Sequence, residues 1–354
     1  MQVTKILSTV AAAILLATTA TVCAEPKAID YVEGVDWTRN VVTATGKGLA
    51  PPNAVNPAQA KLLAADAARA DAFRKLGESV NGVRVEGDKT IGKISATYDR
   101  VQTRITATIK GATTISESFI DDGTYRVIMQ VPMFGTSNSL AGIVLERSEV
   151  IVPFPDPVYG VAPTIPRYNS STPIQERIQL VGEKSSSPVQ VIPSTPSGTF
   201  KPGDPLIPIK PLPKSSTTSI KLTPMNFQPV QAAKKSVADY ADMAQGNFTG
   251  LIVDCRGLNL KPVMSPVILN VNGTKIYGHK NLDPDKVAAQ GMVDYARGLG
   301  GVARAGNNPL VVKAVSLENF NSCPVLSIAD SNLVLIENYA TKFLKDLKVV
   351  FLCD

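Results

Sequence analysis

The sequence predicts an α+β protein in three zones: a small N-terminal sheet covered on one face by helices, a proline-rich linker, and a small C-terminal α/β domain. Helix and strand patterns fill residues 28–150, Pro and Ser crowd residues 151–235, and apolar strand-like runs return over 236–354. The chain has 354 residues, of which 44% are hydrophobic and 19% charged. This is a globular composition with room for two domains.

Residues 1–24 predict a secretory signal peptide. Lys5 precedes an apolar run, and small side chains stand before a cut after Ala24. The alternative, a retained anchor, is disfavoured because the run is too short to span a bilayer. The protein is therefore expected to be exported to the periplasm or cell envelope. Membrane association is expected only if Cys23 is lipidated, and Ala20 and Val22 fit a lipoprotein signal poorly.

A long helix is predicted from Asn56 to Gly82, after a strand in "DWTRNVVTATGKG". Asn56 is the cap, Pro57 takes the first helical position, Gln59 completes a box-like start, and Asn81-Gly82 ends the helix. The predicted apolar arc carries Leu62, Ala65, Ala72, Phe73, Leu76 and Val80.

Arg69 points along the middle of this arc. The favoured interpretation is that its side chain lies in a groove and pairs with Asp66 or a strand carbonyl, since a buried charge needs a partner. A ligand or partner site at Arg69 is the alternative.

The segment "DRVQTRITATIKGA" fits a helix and a strand about equally. The helix is favoured because Asp99 can cap it and Gly111 can end it. The following "TTISESFIDDGTYRVIMQVPMFG" predicts a hairpin that turns at Asp122-Gly123.

These N-terminal segments resemble a known family. "TGKG", "AADAARADAFRKLGESVNGVRVEGDKTI", "DRVQTRITATIKGA" and "DGTYRVIMQVPMFG" are similar to the exported LPP-twenty lipoprotein family, which is related to the N-terminal domain of flagellar assembly protein T. The resemblance covers about Trp37 to Gly135. It implies a non-catalytic envelope protein, lipid-anchored in some members and part of flagellar basal structures in others. In the C-terminal zone, "GLIVDCRGLNLKPVMSPVI" and "ARAGNNPLVVKA" resemble the companion region of longer exported relatives.

The proline-rich zone, with its core "PSTPSGTFKPGDPLIPIKPLPKSS", predicts a semi-rigid and mostly extended linker over 151–235. A PxxP ligand for a partner is the alternative.

Three apolar runs in the last zone each end in an aspartate: "TGLIVDC", "PVLSIAD" and "KVVFLCD". Such runs are typical of parallel strands. Asp254, Asp330 and Asp354 are therefore weak candidates for a cation site along one sheet edge. The alternative is that each aspartate ends a strand or caps a helix, with Asp330 capping a helix over 331–346. A hairpin is predicted at Asn272-Gly273.

The mature chain carries three cysteines. Cys255 and Cys353 end two strand runs, so they are the candidate pair for a disulfide, and Cys323 is expected to stay unpaired. The favoured alternative is that Cys255 and Cys353 are free thiols too, because adjacent strands seldom hold the side-chain geometry of a disulfide.

Few residue patterns in the sequence indicate catalysis. His279 is the single histidine and is interpreted as a loop residue, and "TGKG" lacks P-loop spacing. Aromatic residues make up 6% and the net charge is +6 without a dense basic block, so no nucleic acid partner is expected. No cofactor is expected.

The sequence favours an exported, non-enzymatic cell-envelope protein with an assembly, scaffolding or surface-interaction role. Envelope or flagellar basal-body proteins are the expected partners, and the oligomeric state stays open. The alternatives are a flagellum-associated assembly factor and a metal-dependent hydrolase that uses the C-terminal acidic edge.

Overall fold

The computed structural model of the protein describes residues 31–120, 123–145, 150–182 and 242–354. The predicted signal peptide with its cut after Ala24, Cys23, and the linker from residue 183 onward lie outside these ranges. Over the described ranges, no helix combines the length and apolar character needed to cross a membrane. The predicted α+β fold class is confirmed.

The N-terminal domain is an antiparallel sheet with a long helix across it. Its elements are β1 (Gly34–Asp36), β2 (Val41–Leu49), α1 (Pro57–Gly82), β3 (Arg84–Glu86), β4 (Lys89–Thr90), α2 (Ile91–Thr97), α3 (Asp99–Lys110), β5 (Thr113–Phe119), β6 (Thr124–Pro132) and α4 (Ala141–Val144). The main sheet has the order β1-β2-β6-β5, and β3 pairs with β4. The predicted hairpin is confirmed in β5 and β6, although Asp122 of its turn is outside the described residues.

The long helix begins as the sequence predicts. The Asn56 Oδ1 accepts a hydrogen bond from the Gln59 amide at 2.8 Å, and the Gln59 Oε1 accepts one from the Val55 amide at 2.9 Å. For α3, the helix interpretation is confirmed but the predicted cap is wrong. Tyr98 is the N-cap residue and offers no side-chain cap bond, while Asp99 lies inside the first turn.

Helix α1 lies unusually close to β2 because small residues face each other. Ala64, Ala68 and Ala72 are fully buried against Gly46 and Gly48 of the "TGKG" segment. A Cβ added at Gly46 would overlap the carbonyl oxygen of Ala68, and one at Gly48 would overlap that of Ala64. The two glycines therefore serve helix–sheet packing.

The buried stripe of α1 differs in part from the predicted arc. It consists of Ala64, Ala65, Ala68, Ala72, Leu76 and Val80. Leu62, which was predicted to lie on the apolar arc, is 60% exposed, so this part of the prediction is wrong. The stripe follows an i+4 spacing beneath β2, and this leaves Arg69 at its margin.

The C-terminal domain contains two four-stranded sheets. Its elements are α5 (Ile174–Gly182), β7 (Gly250–Asp254), β8 (Ile268–Asn270), β9 (Lys275–Tyr277), α6 (Pro284–Gln290), β10 (Asp294–Ala296), β11 (Pro309–Lys313), β12 (Ser316–Glu318), β13 (Cys323–Leu326), α7 (Ile328–Thr341) and β14 (Val349–Leu352). One sheet is parallel, with the order β10-β14-β7-β11, and the other is mixed, with the order β12-β13-β8-β9. The hairpin predicted at Asn272-Gly273 is confirmed in β8 and β9.

The three apolar runs do not share a sheet, contrary to the prediction. β7 and β14 are parallel neighbours, whereas β13 pairs with β8 and β12 in the second sheet. The helix after β13 also starts earlier than predicted. Ser327 is its cap, because the Ser327 Oγ accepts a hydrogen bond from the Asp330 amide at 3.0 Å. The predicted cap, Asp330, lies in the first turn.

Part of the predicted linker is folded onto the C-terminal domain. Residues 164–182, called the strap below, cross one face of the parallel sheet, where Ile178 packs in a buried cluster with Ile252, Val311 and Val350. The prediction of an extended chain is therefore wrong over the strap. Its guanidinium anchor, Arg177, is 1% exposed and is held by five oxygens rather than by a carboxylate.

The two domains pack directly against each other. The amides of Met264 and Ser265 donate to the carbonyls of Arg84 and Val85 at 3.0 and 2.8 Å, so two backbone hydrogen bonds join β3 to the segment before β8. The rings of Trp37 and Tyr295 meet edge to face with centroids 5.7 Å apart. This junction creates the clefts described next.

A candidate binding groove between the domains

A groove of about 610 Å³ runs along the domain junction. We call it the interdomain groove. Its lining residues are Val85, Glu86, Lys89, Lys93, Ile94, Thr97, Tyr98, Val101, Ile143, Val144, Leu145, Ser265, Val267, Lys275, Gly278, His279, Lys280 and Asn281. Its volume falls in the range of about 300–1,000 Å³ that is typical of small-molecule sites.

The floor of the groove is apolar. The N-terminal domain supplies most of it, from β3, α2, α3 and α4, and the C-terminal domain adds Val267. Val85, Val144 and Val267 are at most 8% exposed, and Ile94 and Val101 are half-buried. The half-buried side chains on the floor give a ligand apolar surface to cover.

The rim of the groove is basic. Lys89 and Lys93 come from the N-terminal domain. In the C-terminal domain, Lys275 begins β9 and Lys280 lies in the 3₁₀ turn that follows it. Lys89 pairs with Glu86 at 3.7 Å, and Lys93 pairs with Asp88 at 2.9 Å. Lys275 and Lys280 are exposed and form no salt bridge with any other part of the described chain.

Three polar side chains around the floor already have partners inside the protein. Thr97 donates to the Lys93 carbonyl at 3.0 Å, and Ser265 contacts the Met292 sulfur at 3.7 Å. The side-chain amide of Asn281 donates to the carbonyls of Val152 and Pro153. The groove therefore offers charge at its rim and little free hydrogen-bonding capacity on its floor.

His279 lies on this groove, in a short 3₁₀ turn over 279–281, and is half-buried. The sequence interpretation as a loop histidine placed it outside any site. It shares the lining with Lys275, Lys280 and Asn281, which gives it a place in a basic binding surface.

A second, polar cleft of about 490 Å³ lies near the other side of α4. It is formed mainly by Arg104, the loop 135–139, Asp285 and Ala288. Ile143 lines both clefts, so α4 separates them. The Gly135 amide donates to the Ala288 carbonyl at 2.9 Å, which ties this loop to the C-terminal domain.

The three candidate aspartates do not form one site. Asp254 is buried and accepts two hydrogen bonds from the Arg256 guanidinium and one from the Arg256 backbone amide, and Asp354 accepts from the Gly257 amide at 2.8 Å. Asp330 belongs to α7, where it bonds Ser327 and Thr164. Within the residues that the structure describes, no group of three or more His, Cys, Asp or Glu side chains could hold a metal ion. The expectation of a three-carboxylate edge is therefore wrong, because β13 joined the other sheet.

The predicted cysteine pair is adjacent but not bonded. Cys255 and Cys353 directly follow the last registered pair of β7 and β14, Asp254 and Leu352, and both are free thiols, as is Cys323. Burial raises the pKa of the Cys255 thiol, and it raises the pKa of the half-buried Cys353 thiol to about 11. Both groups therefore stay protonated at neutral pH and are poor nucleophiles.

Arg69 pairs with Asp66 as the favoured interpretation predicts, but the predicted position in the middle of the apolar arc is wrong, because the buried stripe follows Ala64, Ala68 and Ala72 and leaves Arg69 at its margin. Its guanidinium bonds Asp66 at 3.4 Å and Glu117 of β5 at 3.1 Å, and its side chain is 39% exposed. Neighbouring carboxylates raise the pKa of Arg69, with Glu117 contributing most. The side chain ties α1 to an edge strand.

Sequence reasoning missed the groove itself. Lys89 and Lys93 are far in sequence from Lys275 and Lys280, and no local pattern links them. No local signal marks the set, because Lys89 and Lys280 stand between polar residues and only Lys93 and Lys275 precede an apolar one.

The fold and the groove define a two-domain α+β protein with a basic, apolar-floored cleft at the domain junction. Residues 250–354 match a family model described as Treponema pallidum Tp0624, second domain. The match covers less than half of the chain, and it leaves out the strap that packs on the same sheet. No curated protein matches the chain.

Proposed function

We propose that this chain is an exported, non-enzymatic protein of the cell envelope, which binds another envelope component through the interdomain groove and serves in assembly or scaffolding. The observation that carries the proposal is the groove: four lysines surround an apolar floor, and both domains contribute. A cleft of this kind binds without needing a reactive group. The resemblance of residues 37–135 to the LPP-twenty family supports an envelope role.

The two alternative functions, a flagellum-associated factor and a metal-dependent hydrolase, differ in their support. A flagellum-associated assembly factor is a more specific form of the same proposal, and it rests on that resemblance alone. The metal-dependent hydrolase loses its suggested site, because Asp330 lies apart from Asp254 and Asp354.

Site-specific photo-crosslinking in intact cells tests the proposal. A photoreactive residue at Lys275 should capture an envelope component, and the capture should fall when Lys280→Glu reverses the neighbouring charge. Lys345, an exposed lysine outside the groove, is the matched position for the control. Equal capture at both positions, or capture that ignores Lys280→Glu, would contradict the proposal.

Export is tested separately. Fractionation together with N-terminal sequencing of the mature chain should place the protein in the envelope, with a cut after Ala24. A cytoplasmic protein that keeps its first residues would contradict this part.

A further inference from the structure

We propose that the ligand of the interdomain groove is an anionic amphiphile, with its alkyl chain on the apolar floor and its acidic headgroup at the lysine rim. The inference rests on the proposed function and names the chemistry of the bound component. It is carried by the juxtaposition of apolar and basic side chains in the lining of one cleft.

The floor suits an alkyl chain better than a peptide. A peptide backbone on this floor would lose its bonds to water, and buried backbone groups need replacement partners. The side chains of Thr97, Ser265 and Asn281 are already engaged within the protein. The Ser265 amide is likewise bonded to the Val85 carbonyl. An alkyl chain needs no such partners and gains from covering Ile94 and Val101.

The rim locates the headgroup. Glu86 and Asp88 partly neutralise Lys89 and Lys93, whereas Lys275 and Lys280 have no carboxylate partner in the described structure. Lysine ammonium groups bind phosphate as point charges without a fixed geometry. The acidic headgroup is therefore assigned to the C-terminal side of the groove, between Lys275 and Lys280.

Titration calorimetry of the full mature chain with alkyl phosphates tests this assignment. The probes are inorganic phosphate, a series of alkyl phosphates up to dodecyl phosphate, and dodecylphosphocholine, each below its micelle concentration. Affinity should rise by roughly three- to fourfold for each methylene that becomes buried. Dodecyl phosphate should bind more tightly than the zwitterionic dodecylphosphocholine, and added salt should weaken its binding.

Charge reversal provides the second arm. The double variant Lys275→Glu/Lys280→Glu should lower the affinity for dodecyl phosphate by about tenfold or more, because two attractive contacts become repulsive. Lys345→Glu changes net charge in the same direction outside the groove and should shift affinity by less than about twofold. All three positions are exposed, so unchanged melting temperatures are expected to verify that each variant is folded.

Three outcomes would overturn the inference. Equal affinity for phosphate and dodecyl phosphate would reduce the groove to an anion site, and equal affinity for the two dodecyl probes would remove the role of the lysines. An acidic peptide that binds while dodecyl phosphate does not would assign the groove to a protein ligand. In that last case capture at Lys275 in cells would still support the proposed function. Conversely, dodecyl phosphate binding without any capture would leave the inference standing and contradict the envelope role.

Discussion

The carboxylate of Asp71 on α1 accepts a hydrogen bond from the backbone amide of Lys47 on β2 at 3.2 Å. Strand β1 pairs with β2 only as far as Thr43, so the edge of β2 beyond that residue has no strand beside it. Lys75, which pairs with Asp71 at 3.0 Å, donates to the Thr45 carbonyl at 3.0 Å. The ion pair of Asp71 and Lys75 thus supplies the acceptor and the donor that a neighbouring strand would otherwise provide. It covers a strand edge that could otherwise pair with another chain.

Replacement of Asp71 should therefore destabilise the N-terminal domain. Asp71→Ala leaves the Lys47 amide without its acceptor and should cost about 1–3 kcal/mol in the free energy of unfolding, as judged from denaturant midpoints. Glu78→Gln, which removes an exposed partner of Arg74, is the control and should cost less than about 1 kcal/mol. Equal losses in the two variants would contradict the edge-capping role.

The contribution of Asp71 should also depend on pH. Hydrogen bonds from Arg74, Lys75 and the Lys47 amide lower the pKa of this carboxyl from 3.8 to about 2. A lowered folded-state pKa means that the stabilisation is fully present above pH 3.8 and is lost as pH falls toward 2. The difference in stability between the wild type and Asp71→Asn should therefore shrink over this interval. A difference that stays constant from pH 5 to about pH 2 would show that the charge of Asp71 contributes little.

The contact between β2 and α1 gives a steric prediction. The added methyl group in Gly46→Ala meets the Ala68 carbonyl and the Ala72 side chain, so helix and sheet must separate. Overpacking of this kind costs about 1–3 kcal/mol. Gly82→Ala, where the structure shows no atom within 4 Å of the new Cβ, is the matched control and should be neutral or slightly stabilising. Similar denaturant midpoints for the two variants would refute the close packing.

Local signals predicted local structure well. The Asn56 cap, the hairpin of β5 and β6 and the turn at Asn272-Gly273 each depend on a few neighbouring residues, and all three appear in the structure. The helical choice for α3 was also correct, although Tyr98 rather than Asp99 is its N-cap residue.

Contacts between residues distant along the chain could not be predicted from the local sequence pattern. The runs of β7 and β13 look alike, yet they joined different sheets, because pairing depends on partners distant along the chain. The strap looked like linker because of its prolines, yet Tyr168 and Arg177 carry it onto β11. The groove lysines converge only after the two domains pack.

The strap gives a prediction about proteolysis. The Arg177 guanidinium reaches the carbonyls of Asn169, Ser170, Thr172 and Pro309, and Arg177→Met would leave these acceptors without their donor. Loss of this anchor should cost about 2 kcal/mol or more. Proteases should then cut within residues 164–182, which should resist cleavage in the wild type. Gln179→Ala, at an exposed neighbouring position, should keep the wild-type pattern, and an unchanged pattern in Arg177→Met would contradict the anchoring role.

The three cysteines give the last prediction. Cys255 and Cys353 lie side by side at the ends of parallel strands, but neighbouring parallel strands rarely present the side-chain geometry that a disulfide requires. Alkylation in denaturant without a reductant should therefore add three labels to the mature chain. In the native protein the half-buried Cys353 should react first and slowly, since its pKa of about 11 leaves little thiolate at neutral pH. Cys255 and Cys323 are buried and should react only after unfolding. A single label in denaturant, on Cys323, would instead show that export oxidises the adjacent pair to a disulfide. In that case Cys255→Ser and Cys353→Ser should each lower the melting temperature, and each should free one further thiol for labelling.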